Sequence, residues 1–286
     1  VDLTIVIPAL NERQKIVRDI TAAAAFLRTS KLRGEIIVVA DGSTDDTIAV
    51  AEALRGDVPE LTILPYTARR GKGAAISRGV AAAEGIVTLF ADAGLCVPYE
   101  DSALGLSMIR SGSVDIAHGN RGLPDTVIVK PQPLFRRLGS KYFRMFIHAI
   151  MGIPRDIRDT QCGFKLYRTD VAKELYADLF TPGFMFDIEI ILRALRRNYR
   201  IGNFAVHWSN DEDTRYDPVR GTIENLWALV VIRSRVQFEP RRTLRTAAQP
   251  RTVTSASEAG RDLVTTGDAQ PIGGAGLSAG SEARGS

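Results

Sequence analysis

Four short polar segments carry residue types that could do chemistry. Ile7-Pro8-Ala9-Leu10-Asn11-Glu12 ends in an amide and a carboxylate, and Ala40-Asp41-Gly42-Ser43-Thr44-Asp45-Asp46-Thr47 is an acidic turn. Arg69-Arg70-Gly71-Lys72-Gly73-Ala74-Ala75 sets a lysine between glycines, where backbone N–H groups at a helix start can cradle phosphate. Phe90-Ala91-Asp92-Ala93-Gly94 offers one carboxylate that can hold a divalent ion bridging two phosphates. Together they suit phosphate groups with a divalent ion. A P-loop is excluded because the Gly-x4-Gly-Lys-Ser/Thr spacing is missing. No Gly-x-Gly-x-x-Gly turn follows the first apolar run, which disfavours a dinucleotide-binding oxidoreductase. The plainer alternative for any one segment is an ordinary turn, with Gly42 easing the bend and Ser43 or Thr44 capping the next helix.

Each polar segment follows an apolar run. Leu3–Ile7, Glu35–Val39, Leu61–Leu64 and Ile86–Phe90 read as strands and Val114–Ala117 as a fifth, with helical patterns over 12–28, 44–54 and 72–83 between them. Short apolar strands alternating with helices predict a mostly parallel sheet covered on both faces. Ligands bind beyond the carboxyl ends of such strands, where the four segments fall. Further on, a Pro- and Gly-containing loop (Gly119–Pro133) precedes a helical pattern over 134–151. Cys162–Tyr167 reads as a strand, Asp187–Arg197 as a helix, Ile201–Trp208 as a strand and Thr222–Val236 as the last helix. Residues 247–286 are rich in Ala, Gly, Ser and Thr without an aromatic, so a disordered tail is expected there.

In this order the segments resemble the "PxxNE", "DDGSxDxT", "GKGxA" and "DxD" motifs of the family 2 glycosyltransferases. Asp159-Thr160-Gln161-Cys162-Gly163-Phe164-Lys165 and Phe184-x-Phe186-Asp187-x-Glu189 are similar to signatures of the dolichyl-phosphate β-glucosyltransferases and their bacterial polyprenyl-phosphate relatives. The resemblance implies an α/β GT-A fold, a single Rossmann-like, mostly parallel sheet with helices on both faces. The implied domain covers 1–246, with 1–118 binding the nucleotide sugar and 119–246 facing acceptor and membrane. It also implies that Pro8, Ala9, Glu12 and Asp41 hold the nucleoside, that Lys72 lies near base or phosphates, and that Asp92 is the metal-side carboxylate for Mg²⁺ or Mn²⁺. Arg121 and Gln161 would border the reaction centre, Asp187 would act there, and Trp208 and Arg215 would close over the donor diphosphate. Two positions depart from the family. Ala40 replaces the first Asp of "DDGS", and Gly94 stands where the second Asp of "DxD" belongs.

A polyprenyl phosphate acceptor is already an oxyanion and needs no general base, only cations and in-line positioning. Val129–Gly152 holds Lys130, Arg136, Arg137, Lys141 and Arg144 with no acid, and Arg121, Arg136, Arg137 and Lys141 are the expected acceptor-phosphate contacts. At helical spacing Leu134, Leu138, Tyr142, Met145 and Ala149 share one face, and Arg137, Lys141, Arg144 and His148 another. That pattern fits an anionic membrane surface; the alternative is a surface helix packing its apolar side on the core. A second basic run, Arg233 to Arg245, is read either as a membrane contact or as a solvated terminus. The expected activity is inverting hexose transfer, glucose from UDP-glucose, to a polyprenyl or dolichyl phosphate at the cytoplasmic membrane face. Two other readings stay open: a glycan hydroxyl acceptor with Asp187 or Glu189 as base, and a non-catalytic nucleotide-sugar binder because of Gly94.

Composition sets the outer limits. The 286 residues carry a formal net charge of +4 and only two cysteines, Cys96 and Cys162, which excludes a Cys-rich zinc site and argues against a disulfide framework. Both read as buried thiols rather than nucleophiles. His118, His148 and His207 lack ligand spacing. No apolar run approaches the ~20 residues of a membrane span, and no secretory signal opens the chain at Val1, although a preceding anchor is left open. Nucleic-acid binding is not expected, since no known module appears and aromatics do not interleave with the basic runs.

Overall fold

The computed structural model describes residues 1–130, 143, 145–157, 159–211 and 218–239, the last segment by its backbone alone over 218–223. They belong to one unit, Val1–Ala247. Its strands are β1 (Leu3–Ala9), β2 (Gly34–Asp41), β3 (Leu61–Tyr66), β4 (Val87–Ala91), β5 (Ile116–Gly119), β6 (Val127–Lys130), β7 (Phe164–Arg168), β8 (Ile201–Phe204) and β9 (His207–Ser209). Its helices are α1 (Ile16–Thr29), α2 (Thr47–Glu52), α3 (Lys72–Ala82), α4 (Ser102–Arg110), α5 (Thr169–Ala177), α6 (Phe186–Arg196) and α7 (Pro218–Val236), and residues 145–151 are also helical.

Seven strands form the main sheet in the order β3-β2-β1-β4-β7-β5-β8. β1 pairs in parallel with β2 and β4, β2 with β3, and β5 with β8, while β7 runs antiparallel between β4 and β5. The apolar runs explain the layering. Alternate residues of β1 point to opposite faces: Leu3, Ile5 and Ile7 pack with Ile16, Ile20 and Leu27 of α1, and Val6 packs with Ala75 of α3. A second cluster joins Ile76 and Val80 of α3, Val171 and Leu175 of α5, and Phe186 and Ile190 of α6 over Phe90 and Tyr167. Each fully buried side chain of this size contributes about 1.5–3 kcal/mol relative to exposure. The carboxyl ends of β1, β2 and β4 therefore open on one edge.

The expected strands and most helices are present, with boundaries shifted by a few residues. Three elements were not anticipated. α4 carries Gly105, where a Cβ would meet Leu166 and Phe204 at 2.7 and 2.9 Å, so close packing selects a weak helix former. α5 begins directly after β7, without turn residues to announce it. β6 lies inside the expected loop and pairs in parallel with β9 in a separate two-stranded sheet. The single strand expected over Ile201–Trp208 consequently splits between two sheets. α2 begins after Asp46 without a side-chain cap: Ser43 and Thr44, the expected caps, bind Asn11 instead, and the Thr47 N–H donates to the Asp45 carboxylate at 3.0 Å. Residues 134–142 and the tail 247–286 lie outside the described residues, as do Arg136, Arg137, Lys141 and Arg215.

Candidate active site

Two cavities meet beyond the carboxyl ends of the strands. The first, about 270 Å³, is lined by Pro8, Ala9, Glu12, Asp41, Arg69, Lys72, Asp92, Cys96, Phe184 and Asp211 among others. The second, about 160 Å³, is lined by Asp92, Cys96, Arg121, Gln161, Trp208 and Asp211 among others. Asp92, Cys96 and Asp211 belong to both walls. The five sequence-derived nucleoside and phosphate candidates thus share the first cavity, and Arg121, Gln161 and Trp208 share the second.

The loops are fixed by hydrogen bonds that the motif residues make to one another. Asn11, in the left-handed region at φ 54°, accepts the Thr44 N–H at 2.7 Å and donates its own N–H to Ser43 Oγ at 2.9 Å, joining the ends of β1 and β2. Asp41 accepts the Arg70 and Gly71 N–H groups at 2.6 and 2.8 Å, so its carboxylate holds the loop that presents Lys72. Lys72 Nζ lies 2.6 Å from Asp92 Oδ1, over the Phe90 and Phe184 rings. Burial disfavours the Lys72 charge, but Asp92 and then Asp187 overcome it and raise its pKa, keeping it cationic.

Asp92 itself sits against backbone. Its N–H donates to the Gly163 carbonyl at 2.8 Å, and a Cβ at Gly163 would fall 1.9 Å from Asp92 Oδ2. Only glycine leaves room for that carboxylate. On the other wall, Arg121 Nε and Nη2 grip Asp159 at 2.7 and 2.8 Å while the guanidinium lies over Trp208 at 5.3 Å. Burial opposes the Asp159 charge, yet Arg121 prevails and holds the carboxyl at about 2. The guanidinium is accordingly a fixed cation on the cavity wall.

Asp187 and Glu189 line neither cavity. Asp187 is paired with Lys165, itself fully buried, beneath Phe90. Burial raises the Asp187 pKa against the pull of Lys165 and Lys72. Glu189 accepts the Phe180 and Thr181 N–H groups at 3.1 and 2.8 Å and binds Arg193. Asp187, expected to act at the reaction centre, thus lies buried against Lys165 and outside the lining of both cavities. It continues an alternating row of charges, Asp92–Lys72–Asp187–Lys165.

Sequence reasoning missed three residues here: Asp211, Lys15 and the clamp formed by Asp159. The signal for Asp211 was an acidic run, Asp211-Glu212-Asp213, just after Trp208. Lys15 Nζ binds both Asp211 oxygens at 2.8 and 2.7 Å. Cys162 is buried as expected, whereas Cys96 is only partly buried and lines both cavities; burial, with nearby carboxylates, pushes both thiols up to about 12, far from thiolate reactivity. Among the described residues no three His, Cys, Asp or Glu side chains group to hold a metal. Asp92, set in the cradle Gly163 leaves, fits a hard cation completed by phosphate and water oxygens.

Comparisons with known proteins agree with this architecture. The family model described as Glycosyl transferase family 2 matches residues 4–176. Dolichyl-phosphate beta-glucosyltransferase of Saccharomyces cerevisiae is 31% identical over 248 residues, spanning 81% of this chain and 74% of its own. The Homo sapiens protein of the same name is 28% identical, covering 82% and 75%. Among solved structures, glucosyl-3-phosphoglycerate synthase from Mycobacterium tuberculosis in complex with Mn²⁺, UDP-glucose and phosphoglyceric acid superposes with a TM-score of 0.58 at 19% identity, over 82% and 80% of the two chains. That likeness carries the GT-A α/β fold.

Proposed function

We propose that this chain, which belongs to glycosyl transferase family 2 and is a glycosyltransferase, moves glucose from UDP-glucose to a polyprenyl or dolichyl phosphate, with inversion. The observation that carries the reading is the junction of the two cavities at Asp92. Pro8, Ala9, Glu12 and the loop held by Asp41 receive the nucleoside, and Lys72 the diphosphate. Arg121 and Gln161 in the second cavity receive the acceptor phosphate, and Trp208, beneath the Arg121 guanidinium, keeps its sequence-based role of closing over the donor diphosphate. Arg215, Arg136, Arg137 and Lys141 keep their sequence-based roles: Arg215 closes over the donor, and the other three contact the acceptor phosphate. Mg²⁺ or Mn²⁺, held by Asp92 with the donor phosphates, would offset charge on the departing diphosphate.

The phosphate oxygen attacks the anomeric carbon on the face opposite UDP. A new C–O bond forms as the bond to the diphosphate breaks, and no proton moves. The base nominated for a hydroxyl acceptor has no access: Asp187 and Glu189 are both buried and engaged. That favours a phosphate over a hydroxyl acceptor. The dolichyl-phosphate relatives lend the lipid class.

Peripheral attachment to an anionic membrane is part of the same reading. No described helix is long and apolar enough to cross a bilayer. Met145 and Ala149, the two described residues of the apolar face expected at a headgroup layer, are exposed together with Ile150, while Ile147 and Met151 face the core. Beside them α7 exposes Leu226, Trp227 and Val230, with Arg233 and Arg235 following. Apolar side chains next to arginines suit a headgroup layer. The test supplies radiolabelled UDP-glucose, or GDP-mannose in a parallel reaction, and Mn²⁺ with either polyprenyl phosphate or the dephosphorylated polyprenol. Organic-soluble label with the phosphate alone is expected; label on the alcohol, or none with UDP-glucose or GDP-mannose, contradicts the lipid-phosphate acceptor.

A further inference from the structure

We propose that Asp211 supplies the carboxylate that Gly94 lacks, so that the divalent ion accompanying the donor is held between Asp92 and Asp211. The inference rests on the metal-dependent reading above and adds a ligand from outside the motif.

The geometry at Gly94 carries it. The residue has φ 105°, and a Cβ built there would lie 3.0 Å from Asp211 Oδ2 and 3.5 Å from its Cγ. The space into which an aspartate at 94 would project is already occupied by a carboxylate from another part of the chain. A conformation L side chains rarely adopt, facing a ready-made acid, is what a relocated ligand requires. Asp92 and Asp211 stand together in the walls of both cavities, at their junction.

Both sides of this pair are braced. The Gly94 N–H donates to Asp19 at 2.8 Å, and Arg18 donates to the Gly94 carbonyl at 2.7 Å. Just before Asp211, the Ser209 N–H donates to the Cys96 carbonyl at 2.8 Å and the Asn210 N–H to the Lys130 carbonyl at 3.1 Å. Asp211 is thus tied through backbone to the turn that carries Gly94.

Charge supports the same assignment. Asp92 bears Lys72 and Asp211 bears Lys15. A divalent ion arriving with a diphosphate can exchange partners within this set: the cation takes the carboxylates, Lys72 takes the phosphates, and Lys15 only competes with the cation for Asp211. Two carboxylates plus phosphate and water oxygens complete the coordination that Mg²⁺ or Mn²⁺ ordinarily takes.

The experiment titrates the full chain with Mn²⁺ at saturating UDP and reads free Mn²⁺ by electron paramagnetic resonance, with thermal melting as the folding control. Asp92→Asn and Asp211→Asn are each expected to weaken Mn²⁺ binding by about tenfold or more, since affinity follows ligand charge. Asp211→Glu keeps most of it. Lys15→Met, which removes the same ion pair but spares the carboxylate, leaves Mn²⁺ binding equal or tighter. Wild-type-like binding by Asp211→Asn beside a defective Asp92→Asn overturns the proposal while sparing the metal-dependent reading. A Lys15→Met loss as large as that of Asp211→Asn also overturns it, by making Asp211 a structural strut. Absence of Mn²⁺ binding by wild type at saturating UDP removes both.

Discussion

Adding one methyl group at Gly163 should disable the site without touching any charged residue. A Cβ there would fall 1.9 Å from Asp92 Oδ2 and 2.1 Å from its Cγ, whereas ordinary contacts begin near 3.4 Å. In Gly163→Ala the carboxylate must therefore retreat by about 1.5 Å, a displacement of the order that costs ~100-fold in rate. Asp92 is partly exposed and can swing away, so the fold should survive, with its backbone bond to the Gly163 carbonyl intact. The assay is transfer from UDP-glucose at saturating substrate, paired with UDP binding in the absence of metal. Turnover should fall about 100-fold while metal-free UDP affinity stays near wild type. The double variant with Asp92→Ala supplies the check. Without the carboxylate the new methyl group meets nothing critical, so Gly163→Ala should add no further loss to Asp92→Ala. Full activity in Gly163→Ala, or a further large loss in the double variant, would refute the reasoning.

Four other outcomes follow from the structure. Gly94→Asp should lower Mn²⁺ affinity rather than restore it, because the added side chain enters the space of Asp211 at a strained φ; a gain of affinity would contradict this. Asp19 is buried, and burial raises its pKa to about 6 despite the Gly94 N–H; its folded value exceeds the unfolded one, so its contribution is complete below about pH 4 and is lost as pH rises through 6. Asp19→Asn should then stabilise the chain by about 1–3 kcal/mol at pH 7.5 and by clearly less at pH 4.5, measured by urea unfolding; the reverse order would contradict this. Lys165→Met leaves Asp187 buried without its cation and should cost about 3–5 kcal/mol, much of it recovered when Asp187→Asn is added. Trp227→Glu with Val230→Glu should reduce co-sedimentation with anionic vesicles several-fold while leaving UDP binding unchanged; undiminished sedimentation would move the membrane contact elsewhere.

The nucleotide half was legible because its strands are apolar runs closed by polar turns, and parallel topology then fixes where those turns gather. That pattern placed the segments of Pro8, Glu12, Asp41, Lys72 and Asp92 at one edge, where they line one cavity, and the family resemblance picked out the individual residues. What escaped depends on partners distant in sequence. Lys165 and Asp187 were visible as motif residues, but their pairing follows only once β7 enters antiparallel between β4 and β5. Asp41 was read as a nucleoside contact, and its hydrogen bonds to Arg70 and Gly71 emerge only when the β2 and β3 loops converge. Gly94 looked like a damaged metal motif because the facing Asp211 arrives 117 positions later, a separation no local pattern spans. α4 and β6 were hidden for a related reason: Gly105 is chosen by Leu166 and Phe204, and the β6 strand by β9.

The most direct test of the central claim is a crystal structure of the full chain soaked with UDP and Mn²⁺. The account predicts uridine against Pro8, Ala9 and the loop held by Asp41, and the diphosphate beside Lys72. The ion should touch Asp92 and Asp211 where the two cavities meet. UDP bound away from that junction, or an ion held without Asp92, would contradict it.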